Sequence, residues 1–539
     1  MARREIGCLL ASLGVWAATA EAGRIIYVDD DAPGADDGTS WCDAYRFLQD
    51  AISEAEFAED VTEIRVAAGV YRPDVGAGQI AGDREASFWI IGRASLKGGY
   101  AGCGAQNPDH RSLRTNQTIL SGDLLADDAS GDSDCCRPRA ERGCDDVDCR
   151  QAVCSHVEEC CAAAWTDECA AWARLLCCET CGHACDNSRH VVSVSLMSDE
   201  PIVLDGFTIR GGNADGQSGG GLQVPFEDYW ALTVSRCIFE NNLADYGGAV
   251  RVRNGVEVAF VNCVFRDNVA GYGGAIYTYE PTIRLVNCLI ADNFAAIAGG
   301  GYFWEEAFLN WEVTNCTVVR NSAPIGGGLY SSNRVYDDHR GIANTIMWNN
   351  RARIGPQIAL ETRSDRGDSL TLTNCILEGG PAAAYTTDGY ELIWDASSNA
   401  ADPLFVNALG SDGLPATADD DFRIQGPSPA VDAGDNFAVP PDLAADLAGM
   451  SRFLDHPQAP DIGIGDPPLV DVGAYECCFA DLSSLAAYTG CQAGPGVCAT
   501  ESCRNLDLDD SRSVDLADFA AFQRIFCGRL SGATEASVP

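Results

Sequence analysis

Residues 237–250 read CIFENNLADYGGAV, and residues 263–276 read CVFRDNVAGYGGAI. A third copy starts at Cys288 with CLIADNFAAIAGGGY. Aligned on Cys237, Cys263, Cys288, Cys316, Thr345 and Cys375, the middle of the chain repeats at intervals of 26, 25, 28, 29 and 30 residues. Five residues after each of the first five anchors stands an asparagine: Asn242, Asn268, Asn293, Asn321 and Asn350. A glycine turn feeding an apolar residue follows, from Gly219-Gly220-Gly221-Leu222 to Gly326-Gly327-Gly328-Leu329. Short β-branched and aromatic runs separated by Gly and Asn are too brief for helices, so each repeat is a set of short strands with sharp corners. One such rung cannot bury its own apolar face, so rungs must stack, each adding ~4.8 Å of parallel sheet. The expected fold is all-β, a right-handed single-stranded parallel β-helix. Asn tolerates left-handed backbone angles, and its amide bonds the copy above and below, which predicts an inward row of stacked asparagines. The recurrent cysteines are expected to stack as small buried apolar groups rather than as disulfides.

The pattern resembles the polymorphic outer-membrane protein repeat through Gly273 to Ile276, Phe239 to Asn242 and Phe265 to Asn268, with Ile290, Val318 and Met347 replacing Phe later. More broadly the chain resembles the pectate-lyase-like β-helix superfamily. Tyr27-Val28-Asp29, Asp37 to Trp41, Leu48 to Ile52 and Ile64 to Tyr71 are similar to the capping segment of exported β-helices. That resemblance implies a short amphipathic helix at 44–55 over the open end of the core. Residues 401–476 resemble the terminal module of choice-of-anchor surface proteins through Asp402 to Phe405, Ser428 to Asp435 and Asp471 to Glu476. The resemblance implies a segment that closes the β-helix, and no catalysis.

Residues 1–22 read as a signal peptide, with Arg3 and Arg4, an apolar run from Ile6 to Ala18 and Ala20-Glu21-Ala22 before the cleavage point. The run is too short to span a membrane, and no later stretch supplies a transmembrane segment. A secreted or cell-surface location is expected. The formal net charge of −43 argues against nucleic acid as a partner, since the two would repel.

Cysteines number 26, of which twelve crowd into 135–185 and six into 477–527. In an exported chain the first group predicts a disulfide-rich insert at 134–186. Zinc held by Cys178, Cys181, His183 and Cys185 is the alternative. Cys42 and Cys103 are expected to pair separately. The insert separates the cap and first rungs, 23–133, from the main repeats, 187–400.

Residues 477–539 turn helical. Asp507, Asp509, Ser511, the Ser513 carbonyl, Asp515 and Asp518 occupy the oxygen positions of an EF-hand loop, which predicts one Ca²⁺. The loop resembles dockerin type I, although Arg512 replaces the turn glycine. That resemblance implies a cohesin-like protein partner. A 34-residue shift aligns Asp481-Leu482 with Asp515-Leu516, a second copy whose earlier ligand positions fall on Gly473, Tyr475 and Cys477. No organic cofactor is expected.

Loops after the glycine turns carry aromatics beside acids, so Trp230, Tyr279, Trp304 and Asp337 are expected to contact a polysaccharide or a cell-surface partner. Glu305, Glu306 and Asp337 are the candidate acids if the chain is instead a glycoside hydrolase or lyase. Lys97 is the sole lysine, and no Asn-Thr-Asp, His-Gly or Arg-x-Lys set of the polygalacturonase type is present.

Overall fold

The computed structural model describes residues 23–477 except 92–93, 128–133, 178–179, 182–183, 196–201, 226–229, 254–255, 281, 306–310, 334–338, 363–367, 414, 418 and 457–458. Residues 1–22, read above as a signal peptide, and the stretch from Cys478 onward, read as dockerin-like, lie outside the described residues.

Three long parallel sheets wind around one axis. Sheet A runs from Arg24–Val28 to Tyr390–Trp394, sheet B from Gly69–Tyr71 to Ile376–Leu377, and sheet C from Phe88–Ile91 to Ala384–Thr386. A fourth, sheet D, adds Asn213–Ser218, Leu243–Tyr246, Val269–Tyr272 and Phe294–Ala298 at the corner between B and C. Among the described residues between 200 and 400, the one helical element is a 3₁₀ turn at Gly380–Ala383.

Each rung turns at three left-handed corners. The first is the residue before each anchor, at Asn262, Asn287, Asn315, Asn344 and Asn374. The second precedes each ladder asparagine, at Asn241, Asp267, Asp292, Arg320 and Asn349. The third is the first glycine of the turn, such as Gly247 (φ 65°) and Gly273 (φ 64°). At Gly247 a Cβ would lie 2.0 Å from the Val250 carbonyl oxygen, so only glycine fits. The left-handed angle therefore falls one residue before the inward asparagine, because the Asn side chain must reach into the coil while its neighbour makes the bend.

The asparagine row forms as expected. Asn242, Asn268, Asn293, Asn321 and Asn350 are all buried. The backbone N–H and Nδ2 of each of the first four donate to Oδ1 of the next, at 2.9–3.1 Å. The cysteine row is likewise buried and free of disulfides at Cys237, Cys263, Cys288, Cys316 and Cys375. Each Sγ lies beside a carbonyl, as in Cys237 to Leu204 O at 3.6 Å. Burial pushes the Cys237 and Cys375 thiols up to about 12, so they are poor nucleophiles. Phe239, Phe265, Ile290, Val318 and Met347 pair rung to rung in register inside the coil. Full burial of each such side chain stabilises by about 1.5–3 kcal/mol.

The helix α1, Leu48–Phe57, covers the first rung by burying Leu48, Ala51 and Ile52. Cys42–Cys103 fastens the cap. The insert leaves the coil between Thr118–Ser121 and Val192–Ser195, at the B to C corner. Among the described residues, the cross-links Cys135–Cys144, Cys136–Cys181, Cys149–Cys177, Cys154–Cys161 and Cys160–Cys169 hold it. Cys185 is also disulfide-bonded, which leaves the zinc alternative without that thiolate. Cys178 and His183 lie outside the described residues. The insert stands outside the coil and docks on sheet D. Ala171, Trp172 and Leu175 of its helix α2, Asp167–Leu176, cover Leu243, Val269 and Phe294.

The terminal module differs from the closing role its resemblance implies. It runs back along the outer face of sheet B. Phe422 packs on Leu289, Ala291 and Val319, and Val431 and Val472 pack on Ile346 and Ile376. Farther back, Val439, Leu443 and Val470 reach Val286 and Val261. The physical reason is the apolar outer side of these strands. Leu289-Ile290-Ala291 and Thr317-Val318-Val319 are buried on both faces and would otherwise present a bare patch to water. Among the described residues, no helix is long and apolar enough to cross a membrane.

Candidate functional site

On a strand the residue after the glycine turn points inward, and the next points outward. In sheet C the inward set is Ile276, Tyr302 and Leu329, all fully buried in the coil. The outward set pairs in one column: Arg251, Tyr277, Phe303, Tyr330, Ala359 and Tyr385. Neighbouring rings pack on one another, Tyr277 and Phe303 stacked with centroids 5.1 Å apart at 19°, and Phe303 and Tyr330 4.7 Å apart and tilted by 39°. Sheet D brings a second pair alongside, Tyr246 and Tyr272, stacked at 5.2 Å and 8°. Tyr246 meets Tyr277 edge-on at 5.0 Å, and Tyr272 meets Phe303 at 5.6 Å. The two columns make a continuous aromatic wall over four rungs. Tyr277, Phe303 and Tyr330 are buried within it, whereas Tyr246 and Tyr385 are 37% and 38% exposed.

Acidic groups edge the wall. Glu305 accepts from the Tyr277 hydroxyl, and Glu361 accepts from the Tyr330 hydroxyl at 2.8 Å. Burial, then the Glu305 hydrogen bond, pushes the Tyr277 phenol far above its ordinary range, so it remains a donor at any physiological pH. The Arg251 guanidinium stands 5.9 Å from the Tyr277 ring centroid. Burial lowers the affinity of Arg251 for its proton, with Arg253 adding like charge. In register, Tyr279 is followed by Glu305, then Ser332, then Glu361, so the two carboxylates are two rungs apart, about 9.6 Å at ~4.8 Å per rung. Each is engaged by a tyrosine, which orients the rings. What the wall offers for stacking on an extended, hydroxyl-rich chain is its outer edge, the exposed Tyr246 and half-buried Tyr272, packed on the buried rings behind them.

Trp304 must be corrected. It is fully buried inside the coil, its ring 5.4 Å from Tyr302, and offers no face to a ligand. Its place two residues after inward Tyr302 dictates this. Tyr279 lies at the end of Ile276–Tyr279 and packs half-buried against the aromatic wall. Glu305 is on the wall, as described. Trp230 opens the strand Trp230–Ser235 of sheet A. Glu306 and Asp337 lie outside the described residues, as do Asp507, Asp509, Ser511, Ser513, Asp515 and Asp518. The residues that sequence reasoning missed are Tyr246, Tyr272, Tyr277, Phe303 and Tyr330. Their signal was available: each of the last three stands two positions after the last glycine or alanine of its turn, where the strand faces outward.

Comparison with known proteins places the repeats. The family model described as right handed beta helix region matches residues 198–391. The crystal structure of a pectate lyase, Pel9A, is similar over 85% of this chain and 97% of that chain, at 13% identity and a TM-score of 0.40. A search of curated proteins found no match.

Proposed function

We propose that this chain is a secreted or cell-surface β-helix protein that binds polysaccharide, or a glycan-bearing surface partner, along the aromatic wall of sheets C and D, without turnover. The observation that carries the reading is the outward column of stacked rings with Tyr246 and Tyr385 open to solvent. A linear glycan laid along the axis meets a ring or an acceptor at each rung. The disulfide-rich insert supports an oxidising, extracellular setting. Against a panel of plant, marine and microbial glycans, the wild type is expected to bind at least one by affinity electrophoresis. Tyr246→Ala with Tyr272→Ala is expected to weaken it tenfold or more, at about 0.5–1.5 kcal/mol per ring contact. Trp304→Phe, an inward change, is expected to leave binding within twofold. Loss with Trp304→Phe but not with the tyrosine pair would move the site elsewhere. Release of reducing or unsaturated sugar ends by the wild type, abolished in Glu305→Gln, would favour the hydrolase or lyase reading instead.

The same proposal assigns the segment 477–539 one Ca²⁺ at Asp507, Asp509, Ser511, the Ser513 carbonyl, Asp515 and Asp518, with a cohesin-like protein as its partner. Support comes from the spacing of those oxygens. Calorimetry on residues 477–539 is expected to give one equivalent, removed by Asp507→Asn with Asp509→Asn. Two equivalent sites, or none, would contradict it.

A further inference from the structure

The returning module holds a cluster with different chemistry. Asp432 sits in the Ser428 to Asp435 stretch with a left-handed backbone (φ 50°) and is fully buried. Its carbonyl accepts from Ile462 N at 3.1 Å and Gly463 N at 3.0 Å, which seats Asp461 beside it. Its Oδ2 accepts from His456 N at 3.3 Å, which seats Asp455 on the other side. One carboxylate oxygen from each of Asp432, Asp455 and Asp461 lies within 4.8 Å of the other two. Asp455 and Asp461 are exposed. The Asp432 Oδ1 is buried and accepts no hydrogen bond.

We infer that Asp432, Asp455 and Asp461 form a Ca²⁺ site that clips the 455–463 loop to the returning module. Three facts converge on it. The idle Oδ1 of a fully buried carboxylate faces no protein donor, and a bound cation satisfies it where the protein does not. The spacing matches the ion: oxygens on one Ca²⁺ stand about 2.3–2.6 Å from it and so at most about 5 Å from each other. The donor set is also hard oxygen throughout, with two exposed carboxylates leaving room for the waters that fill a six- to eight-fold shell.

Its residues are distinct from those of the aromatic wall and from the oxygens assigned between 507 and 518, so it is tested separately from both. The full-length protein is stripped with chelator and titrated with Ca²⁺ alone by calorimetry, beside Asp455→Asn with Asp461→Asn. The double variant is expected to take up one equivalent fewer than the wild type, or to bind that equivalent at least tenfold more weakly. Chelator is expected to lower the melting temperature of the wild type by more than it lowers that of the variant. Asp466→Asn, an exposed acid outside the cluster, should behave as the wild type. Should the double variant fail to fold, Asp461→Asn alone is read the same way. Unchanged stoichiometry and affinity, an equal loss in Asp466→Asn, or Mg²⁺ binding as tightly as Ca²⁺ would each overturn the assignment.

Discussion

Arg452→Ala is expected to release the returning module from the flank of the coil, at a cost of about 3–5 kcal/mol. Arg452 and Glu476 are both fully buried, with Nε 3.2 Å from Oε1. The same guanidinium donates from Nη2 to the carbonyls of Asp471 at 2.6 Å and Gly473 at 2.8 Å. Around it, Asp471 Oδ1 accepts from Asp432 N, and Asp446 Oδ2 accepts from Glu476 N. The guanidinium thus pairs with the Glu476 carboxylate, while the carboxylates of Asp471 and Asp446, on the loops around it, are held by backbone N–H groups. Deleting it strands buried carboxylates beside one another and orphans two carbonyls, and 3–5 kcal/mol raises the open population 100-fold or more. Hydrogen exchange and limited proteolysis between 402 and 477 are the measurements. Wild-type protection in the variant would refute the network's role. The acids also set a pH dependence. Burial pushes Asp471 up to about 7 from 3.8, and pushes Glu476 well above its ordinary value. Groups raised on folding bind more protons in the folded state, so their contribution is full below pH 4 and is lost as pH rises through about 7. The module is expected to open more readily at pH 8 than at pH 5.

The coil was legible because its signals are local. Glycine turns, inward asparagines and anchor cysteines recur at fixed offsets, and each has a single steric reason to recur. The outward aromatic wall was less legible, because Tyr302-Phe303-Trp304-Glu305 has three aromatics in a row and hides the alternation that separates inside from outside. Counting from the turn resolves it: Tyr302 and Trp304 fall inward, and Phe303 falls outward beside Tyr277 and Tyr330. The returning module was misjudged for another reason. Its contacts, Arg452 with Asp471, Arg452 with Glu476 and Asp432 with Asp471, span 19, 24 and 39 residues of chain, and no spacing rule links them. A clue lay in sheet B, where Leu289 to Ala291 and Thr317 to Val319 carry no charge and Thr317 as their one polar side chain, and so require cover on both faces. The Asp432 cluster was hidden in the same way, since its carboxylates converge only when the 455–463 loop folds onto the module.

The asparagine row carries the second large effect, and Asn293→Ala is its sharpest probe. The Asn293 side chain takes part in five hydrogen bonds while 1% exposed. Its Oδ1 accepts from the backbone N–H and Nδ2 of Asn268, and its Nδ2 donates to Phe265 O, Ala291 O and Asn321 Oδ1. Truncation leaves the buried Asn268 N–H without its acceptor and out of reach of water and removes the Nδ2 donor from Phe265 O and Ala291 O, while Asn268 Nδ2 keeps Phe239 O and Arg266 O and Asn321 Oδ1 keeps the Asn293 N–H. At about 1 kcal/mol per bond, and ~1–3 kcal/mol for each group left unsatisfied, the loss is on the order of 5 kcal/mol. Asn293→Asp should be no better, because it turns a donor into an oxygen facing three acceptors. Cys288→Ala, one rung corner away and also fully buried, removes only a thiol and is expected to cost about 1–2 kcal/mol. The contrast tests what holds a rung in register, since stacked repeats are stabilised mainly by what each passes to its neighbours. In urea, Asn293→Ala is expected to shift the midpoint far more than Cys288→Ala does. Equal shifts would mean that apolar filling alone, rather than the amide row, sets the stacking of the coil.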